Sequence, residues 1–138
     1  MSKTIERSCV VPCGLEQAYN EWFQYIWIGG AGYGKPKFIE EGDPETFQGS
    51  TRDVGFGILE KILSVEPYTK IEYDVFGTWP VSYQRGTVTF TTTEDGSSTK
   101  VLWRADFTPN CCCGCLVSTV IQSAFKTMLR NFQKKLEA

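Results

Sequence analysis

Apolar residues recur along the chain with two different periods. KTIERSCVV (residues 3–11) carries Ile5, Cys9 and Val11 in the loose alternation of a half-buried strand, and Pro12 ends it. CGLEQAYNEWFQYI then places Leu15, Ala18, Tyr19, Trp22, Phe23 and Ile26 three and four residues apart, the stripe of an amphipathic helix, which the glycines of IGGAGYGKP stop. Six short strand-like runs follow: PKFIEE, STRDVGF, ILEKILSVE, KIEYDVF, VSYQRGTVTFTT and TKVLWRADF, with turn-formers such as EGDPE, EPYTK, FGTWP and EDGSS between them. From about Gly114 to Leu136 the helical period returns. Val117, Val120, Ile121, Ala124, Phe125, Met128, Leu129, Phe132 and Leu136 share one face, and Lys126, Arg130, Lys134 and Lys135 cluster toward the C-terminal half, where they oppose the helix dipole favourably.

The order strand, helix, six strands, long helix predicts an α+β fold. Short turns between consecutive strands cannot make parallel crossovers, so the sheet is expected to be antiparallel. A stripe of about five turns needs an equally long partner, which a curved sheet supplies.

Composition narrows the chemistry. The 138 residues suit one domain, residues 1–138, with a core that needs no disulfide staples. A net charge of −2 with both signs interspersed offers no basic face for nucleic acid or an anionic membrane. No run reaches signal-peptide or membrane-span length, so neither export nor stable membrane insertion is expected; the reading is a cytoplasmic protein with reduced cysteines. Histidine is absent, which excludes within-chain histidine triads, histidine bases and His-ligated zinc. Four Trp, six Tyr and nine Phe are enough either to fill a core or to line a cavity.

Several motifs in order resemble the helix-grip superfamily: birch-pollen-allergen-like proteins, START lipid-transfer domains, polyketide cyclases and plant abscisic-acid receptors. VVPCGLEQAYNEWF resembles its first strand entering the first helix, GSTRDV its third strand, and ILEKILSVEP its fourth strand and following turn. GTWPVSYQ and STKVLWRADFTP resemble later strands of the polyketide cyclase/dehydrase-like branch. The resemblance covers nearly the whole chain. It implies a seven-stranded antiparallel sheet gripping the long C-terminal helix, with short helices between strands 1 and 2 and a hydrophobic cavity for a lipid, polyketide-like or hormone-like ligand. GFGILE leaves no room for the gate loop of the hormone receptors, which argues against a receptor role.

Alternation assigns the cavity wall. Val101, Trp103, Ala105 and Phe107 share the face expected to meet the helix; Ile71, Tyr73 and Val75 point inward by the same rule, and Val54 and Phe56 share a face with Arg52. In the sixth strand the pattern is broken, and a bulge near Gly86 is one way to break it. The resemblance turns Tyr83 inward and brings in Trp79 from the same motif. The expected ligand-binding set is thus Arg52, Phe56, Glu60, Tyr73, Trp79, Tyr83, Trp103, Phe125 and Met128.

Glu60 stands on a position that in relatives points into the pocket, yet alternation alone leaves Glu60 and Lys61 as rivals for the inward side. Paired inside, Glu60 and Arg52 would form a polar end suited to a ligand hydroxyl, carbonyl or carboxylate. Three functions compete: a carrier or sensor of an apolar or amphipathic small molecule; a cyclase- or dehydratase-like enzyme using Glu60 with Arg52 or Tyr83; and a partner-binding scaffold whose own aromatics fill the pocket. An internal void on the order of 300 Å³ or more separates the first two from the third.

The run NCCCGC places Cys111, Cys112, Cys113 and Cys115 at a strand-to-helix corner. Adjacent cysteines suit tetrahedral zinc badly, and the βαβ context of a redox Cys-x-x-Cys is missing. The expectation is chiefly a structural collar with partly exposed thiols, Gly114 supplying a tight turn, and no metal or cofactor; a redox-sensitive thiol in Cys112-x-x-Cys115 at the helix N-terminus is the lesser alternative.

Overall fold

A computed structural model describes residues 2–110 and 112–138. Seven strands form a single antiparallel sheet: β1 (Lys3–Val11), β2 (Lys37–Glu40), β3 (Thr51–Asp53), β4 (Ile58–Glu66), β5 (Lys70–Gly77), β6 (Val81–Thr92) and β7 (Thr99–Pro109). Their spatial order is β1-β7-β6-β5-β4-β3-β2. Between β1 and β2 come α1 (Leu15–Glu21) and a π-helical continuation, Trp22–Ile28; the long helix α2 (Gly114–Glu137) closes the chain. The α+β, helix-grip expectation is met element for element.

Hydrophobic burial explains why α2 docks. Val117, Ile121, Phe125, Leu129 and Phe132 form its buried ridge, which shares one core with Ile5, Cys9 and Val11 of β1, Val101, Trp103, Ala105 and Phe107 of β7, and Ile71, Tyr73 and Val88 further across the sheet. Each large side chain removed from water contributes about 1.5–3 kcal/mol, more than the helix gains from intrinsic propensity.

The first helix departs from the expected regular α-helix. After about two α-turns it widens at WFQYIWI and buries Trp22, Phe23, Ile26 and Trp27 together. A π-turn accommodates bulky neighbours on one side at the cost of poorer backbone bonding, and such turns concentrate at functional sites. The 3.6-residue template finds the buried stripe but has no signature for the change of pitch.

The irregularity in β6 lies between Val81 and Tyr83, not at Gly86. Beyond it Gln84, Gly86, Val88 and Phe90 face inward, so Tyr83, 46 % exposed, points away from the core. At the β7–α2 corner the left-handed residue is Cys112 (φ 68°), while Gly114 opens the helix rather than forming the turn. Cys111 lies outside the described residues. Pairing of Lys3 with Phe107 puts the start of β1 beside this corner and leaves Cys9, opposite Val101, well along the strand.

That separation yields a chemical prediction. Burial, with a lesser contribution from the charge of Glu137, pushes the Cys9 thiol up to about 11, whereas Cys115 is exposed on the first turn of α2. Only the thiolate reacts, so at pH 8 Cys9 in the native protein should alkylate roughly a hundredfold more slowly than in urea. Peptide mass spectrometry after timed iodoacetamide treatment should show Cys115 modified first. Equal rates at the two positions would contradict the assigned burial.

Candidate functional site

A cavity of about 240 Å³ lies between the sheet and the middle of α2. Val54 and Ile58 flank the β3–β4 turn; Trp79 comes from the β5–β6 turn; Tyr73, Val75 and Trp103 form the sheet wall. From α2 come Val120, Ile121, Ala124, Phe125 and Met128, and the glycine-rich loop contributes Gly30, Tyr33, Gly34 and Pro36. The Trp103 and Phe125 rings stack at 4.4 Å between centroids, so sheet and helix meet in a flat aromatic contact beside the void.

The polar end is built across neighbouring strands. Antiparallel pairing sets Arg52 opposite Glu60 and Glu60 opposite Val75, which resolves the rivalry with Lys61: Glu60 lines the cavity and Lys61 is exposed. Arg52 donates through Nε to Glu60 Oε1 (2.9 Å) and holds Nη2 2.7 Å from the same oxygen. Its Nη1 donates to the carbonyls of Ile26 (2.8 Å) and Trp27 (2.5 Å), and its Cζ stands 4.2 Å from the centre of the Trp27 ring. These carbonyls end the π-helical segment; Ile26 also accepts from the backbone N–H of Gly30, and the cation gives Trp27 its donor and opposes the dipole. Arg52 therefore ties the first helix to β3 and β4, and its charge is answered before any ligand arrives.

Two aromatic hydrogen bonds complete the wall. Trp103 Nε1 donates to the Tyr73 hydroxyl (2.7 Å), and Trp79 Nε1 donates to Gln84 Oε1 (2.7 Å). Tyr73 lies over Gly86, its cross-strand partner; a Cβ there would fall 2.5 Å from the hydroxyl oxygen and inside the ring's envelope. Gly86 is thus the clearance that lets Tyr73 lie against the sheet, a close approach only glycine permits. Burial first, and then the nearby Glu60 charge, hold the Tyr73 phenol far above its usual pKa, so it remains a neutral hydroxyl.

Seven of the nine expected wall residues are brought together: Arg52, Glu60, Tyr73, Trp79, Trp103, Phe125 and Met128. Phe56 and Tyr83 are not. The chain leaves the strand after Asp53, and Phe56 sits in a turn at φ 57° with 96 % of its surface exposed, so strand parity no longer governs it. Tyr83 is turned out by the bulge that precedes it. Gln84 takes the inward place and was missed; a glutamine inside an alternating run next to Trp79 was the available signal.

The family model described as polyketide cyclase / dehydrase and lipid transport matches residues 26–138. Comparison with curated protein sequences gives no match. Among solved structures, the chain is similar to a protein from Nitrosospira multiformis, at 12% identity, with 97% of this chain and 96% of that one covered and a TM-score of 0.79. It is similar to Ara h 8.0201 at 12% identity, 99% and 98% coverage and a TM-score of 0.73. The Zhui aromatase/cyclase from a Streptomyces species aligns at 16% identity, 99% and 94% coverage and a TM-score of 0.73. Identities this low show a shared helix-grip fold alone. No helix among the described residues is long and apolar enough to cross a membrane.

Proposed function

Because the chain belongs to the polyketide cyclase / dehydrase and lipid transport family, we propose that it binds one small, flat, amphipathic molecule between sheet and α2, as a carrier or sensor. The observation that carries this reading is the cavity itself: about 240 Å³ left open among aromatic walls that end in a polar cluster. That volume falls somewhat below the roughly 300 Å³ at which ligand pockets usually begin, which favours a mono- or bicyclic ligand over a long acyl chain or a large polycycle. Short of that volume, the void does not by itself separate a ligand binder from a partner-binding scaffold; what favours a ligand is unfilled space with a polar end.

An enzyme of the cyclase or dehydratase type is the second reading, supported by the placement of Glu60 and Tyr73 on one wall of the cavity. A carboxylate beside a neutral phenol is the minimum equipment for moving a proton on a bound ketone or alcohol. Tyr73 replaces Tyr83 in that scheme, because Tyr83 does not reach the cavity.

Native mass spectrometry of freshly purified protein tests the carrier reading. The expected spectrum shows one small organic molecule per chain, either co-purified or added as naphthalene, and released unchanged. A protein that carries no adduct and takes up no naphthalene would overturn it; a released molecule differing from the one added would favour the enzyme.

A further inference from the structure

We propose that the polar end of the cavity selects a ligand bearing a neutral or cationic hydrogen-bond donor, such as an aryl hydroxyl or aryl amine, and rejects carboxylates. The inference rests on the ligand-binding reading above and specifies its chemistry. Sequence alone leaves hydroxyl, carbonyl and carboxylate equally acceptable, since an inward arginine would welcome an anion.

The observed bonding removes that option. Arg52 gives two contacts to Glu60 Oε1 and two hydrogen bonds to the Ile26 and Trp27 carbonyls, and the Trp27 ring stands against its guanidinium. A ligand carboxylate could reach this cation only by displacing Glu60 or by uncapping the helix. Both contacts from Arg52 fall on Oε1, so Glu60 Oε2 accepts no hydrogen bond from the described residues, although the side chain is only 15% exposed and lines the cavity. A carboxylate oxygen that faces the cavity without a protein donor has a place for a donor from a ligand.

Donors stand on the same cavity wall. Tyr73 accepts the indole N–H of Trp103, while its own hydroxyl proton meets no acceptor among the described residues. Gln84 uses Oε1 for Trp79 and leaves its amide N–H groups without a protein acceptor among the same residues. A single hydroxyl on a flat ring satisfies the set: its proton goes to Glu60 Oε2, and its oxygen accepts from Tyr73 or Gln84. A carboxylate accepts from Tyr73 and Gln84 but sets a second negative charge against Glu60 in a half-enclosed apolar site.

Titration calorimetry at pH 7 with naphthalene, naphthol and naphthoate, which share one ring system, tests the selectivity. Naphthol is expected to bind about tenfold tighter than naphthalene and naphthoate about tenfold weaker, the scale on which a matched or mismatched buried polar group discriminates. In Glu60→Gln, which keeps the size and removes the charge, naphthoate should recover to the affinity of naphthalene or better. Should that variant fail to fold, the wild-type series alone decides. Naphthoate binding as tightly as naphthol to the wild type overturns the selectivity while leaving ligand binding intact. Binding of none of the three, naphthalene included, overturns the ligand-binding reading and the selectivity with it.

Discussion

Arg52→Leu should cost about 3–5 kcal/mol of folding stability, enough to unfold a domain of ordinary stability at physiological temperature. The substitution keeps an apolar stem in a buried place but strands the Glu60 carboxylate and the Trp27 carbonyl, while the Ile26 carbonyl keeps the backbone N–H of Gly30. Leaving one partner of a buried charged pair behind costs more than the pair itself contributes, because the remaining group keeps its desolvation penalty. Adding Glu60→Leu to the same protein should therefore recover part of the loss, leaving chiefly the Trp27 carbonyl unmet. Urea denaturation followed by tryptophan fluorescence measures both variants. A shift below about 1 kcal/mol for Arg52→Leu would mean that the pair behaves like an exposed surface salt bridge.

Gly86→Ala should be damaging out of proportion to the one methyl it adds. Its Cβ would meet the Tyr73 ring across the strand pair, and the obstacle is a packed aromatic rather than the tip of a flexible chain. Overpacking of this kind costs about 1–3 kcal/mol. The ring must lift toward the cavity, breaking the bond from Trp103 and filling the space a ligand would occupy. Affinity for naphthol should fall at least tenfold, by loss of volume and of the Tyr73 hydroxyl together. Gly14→Ala is the control, since nothing stands within 4 Å of its added Cβ. Equal stability and affinity for Gly86→Ala and wild type would remove Tyr73 from the cavity wall.

The parts of the site that the sequence made legible are those governed by a fixed period. Tyr73 and Trp103 sit mid-strand in uninterrupted extended backbone, where every second residue faces the same way, and Phe125 and Met128 follow the helical repeat of α2. Parity failed where the backbone stops being extended. Phe56 follows Arg52 and Val54 in count, but the strand has ended and a left-handed turn intervenes. One irregular step at Val81–Tyr83 exchanged Tyr83 for Gln84. Glu60 could be settled only by register, which depends on how long the β3–β4 turn is and which strand pairs with which.

The role of Arg52 was half visible. An arginine and a glutamate on neighbouring strands suggest a pair, but the capping of the first helix depends on its change to π pitch, and no spacing rule shows that in advance. The consequence reaches function: the same helix end that stabilises the fold also occupies the arginine and turns the site from anion-binding to donor-binding.

Indole N–H resonances report on the cavity at the level of single residues. The chain has four tryptophans, and the fold divides them evenly: Trp79 and Trp103 line the cavity, while Trp22 and Trp27 are fully buried behind its wall, with Trp22 against Trp103 and Trp27 against Tyr73 and Arg52. Titrating naphthol into nitrogen-15-labelled protein should move the Trp79 and Trp103 indole signals along one saturable, one-to-one curve and leave Trp22 and Trp27 nearly still. Four unmoved signals at saturating naphthol, or shifts at Trp22 and Trp27 as large as at Trp103, would contradict a ligand cavity between the sheet and the long helix.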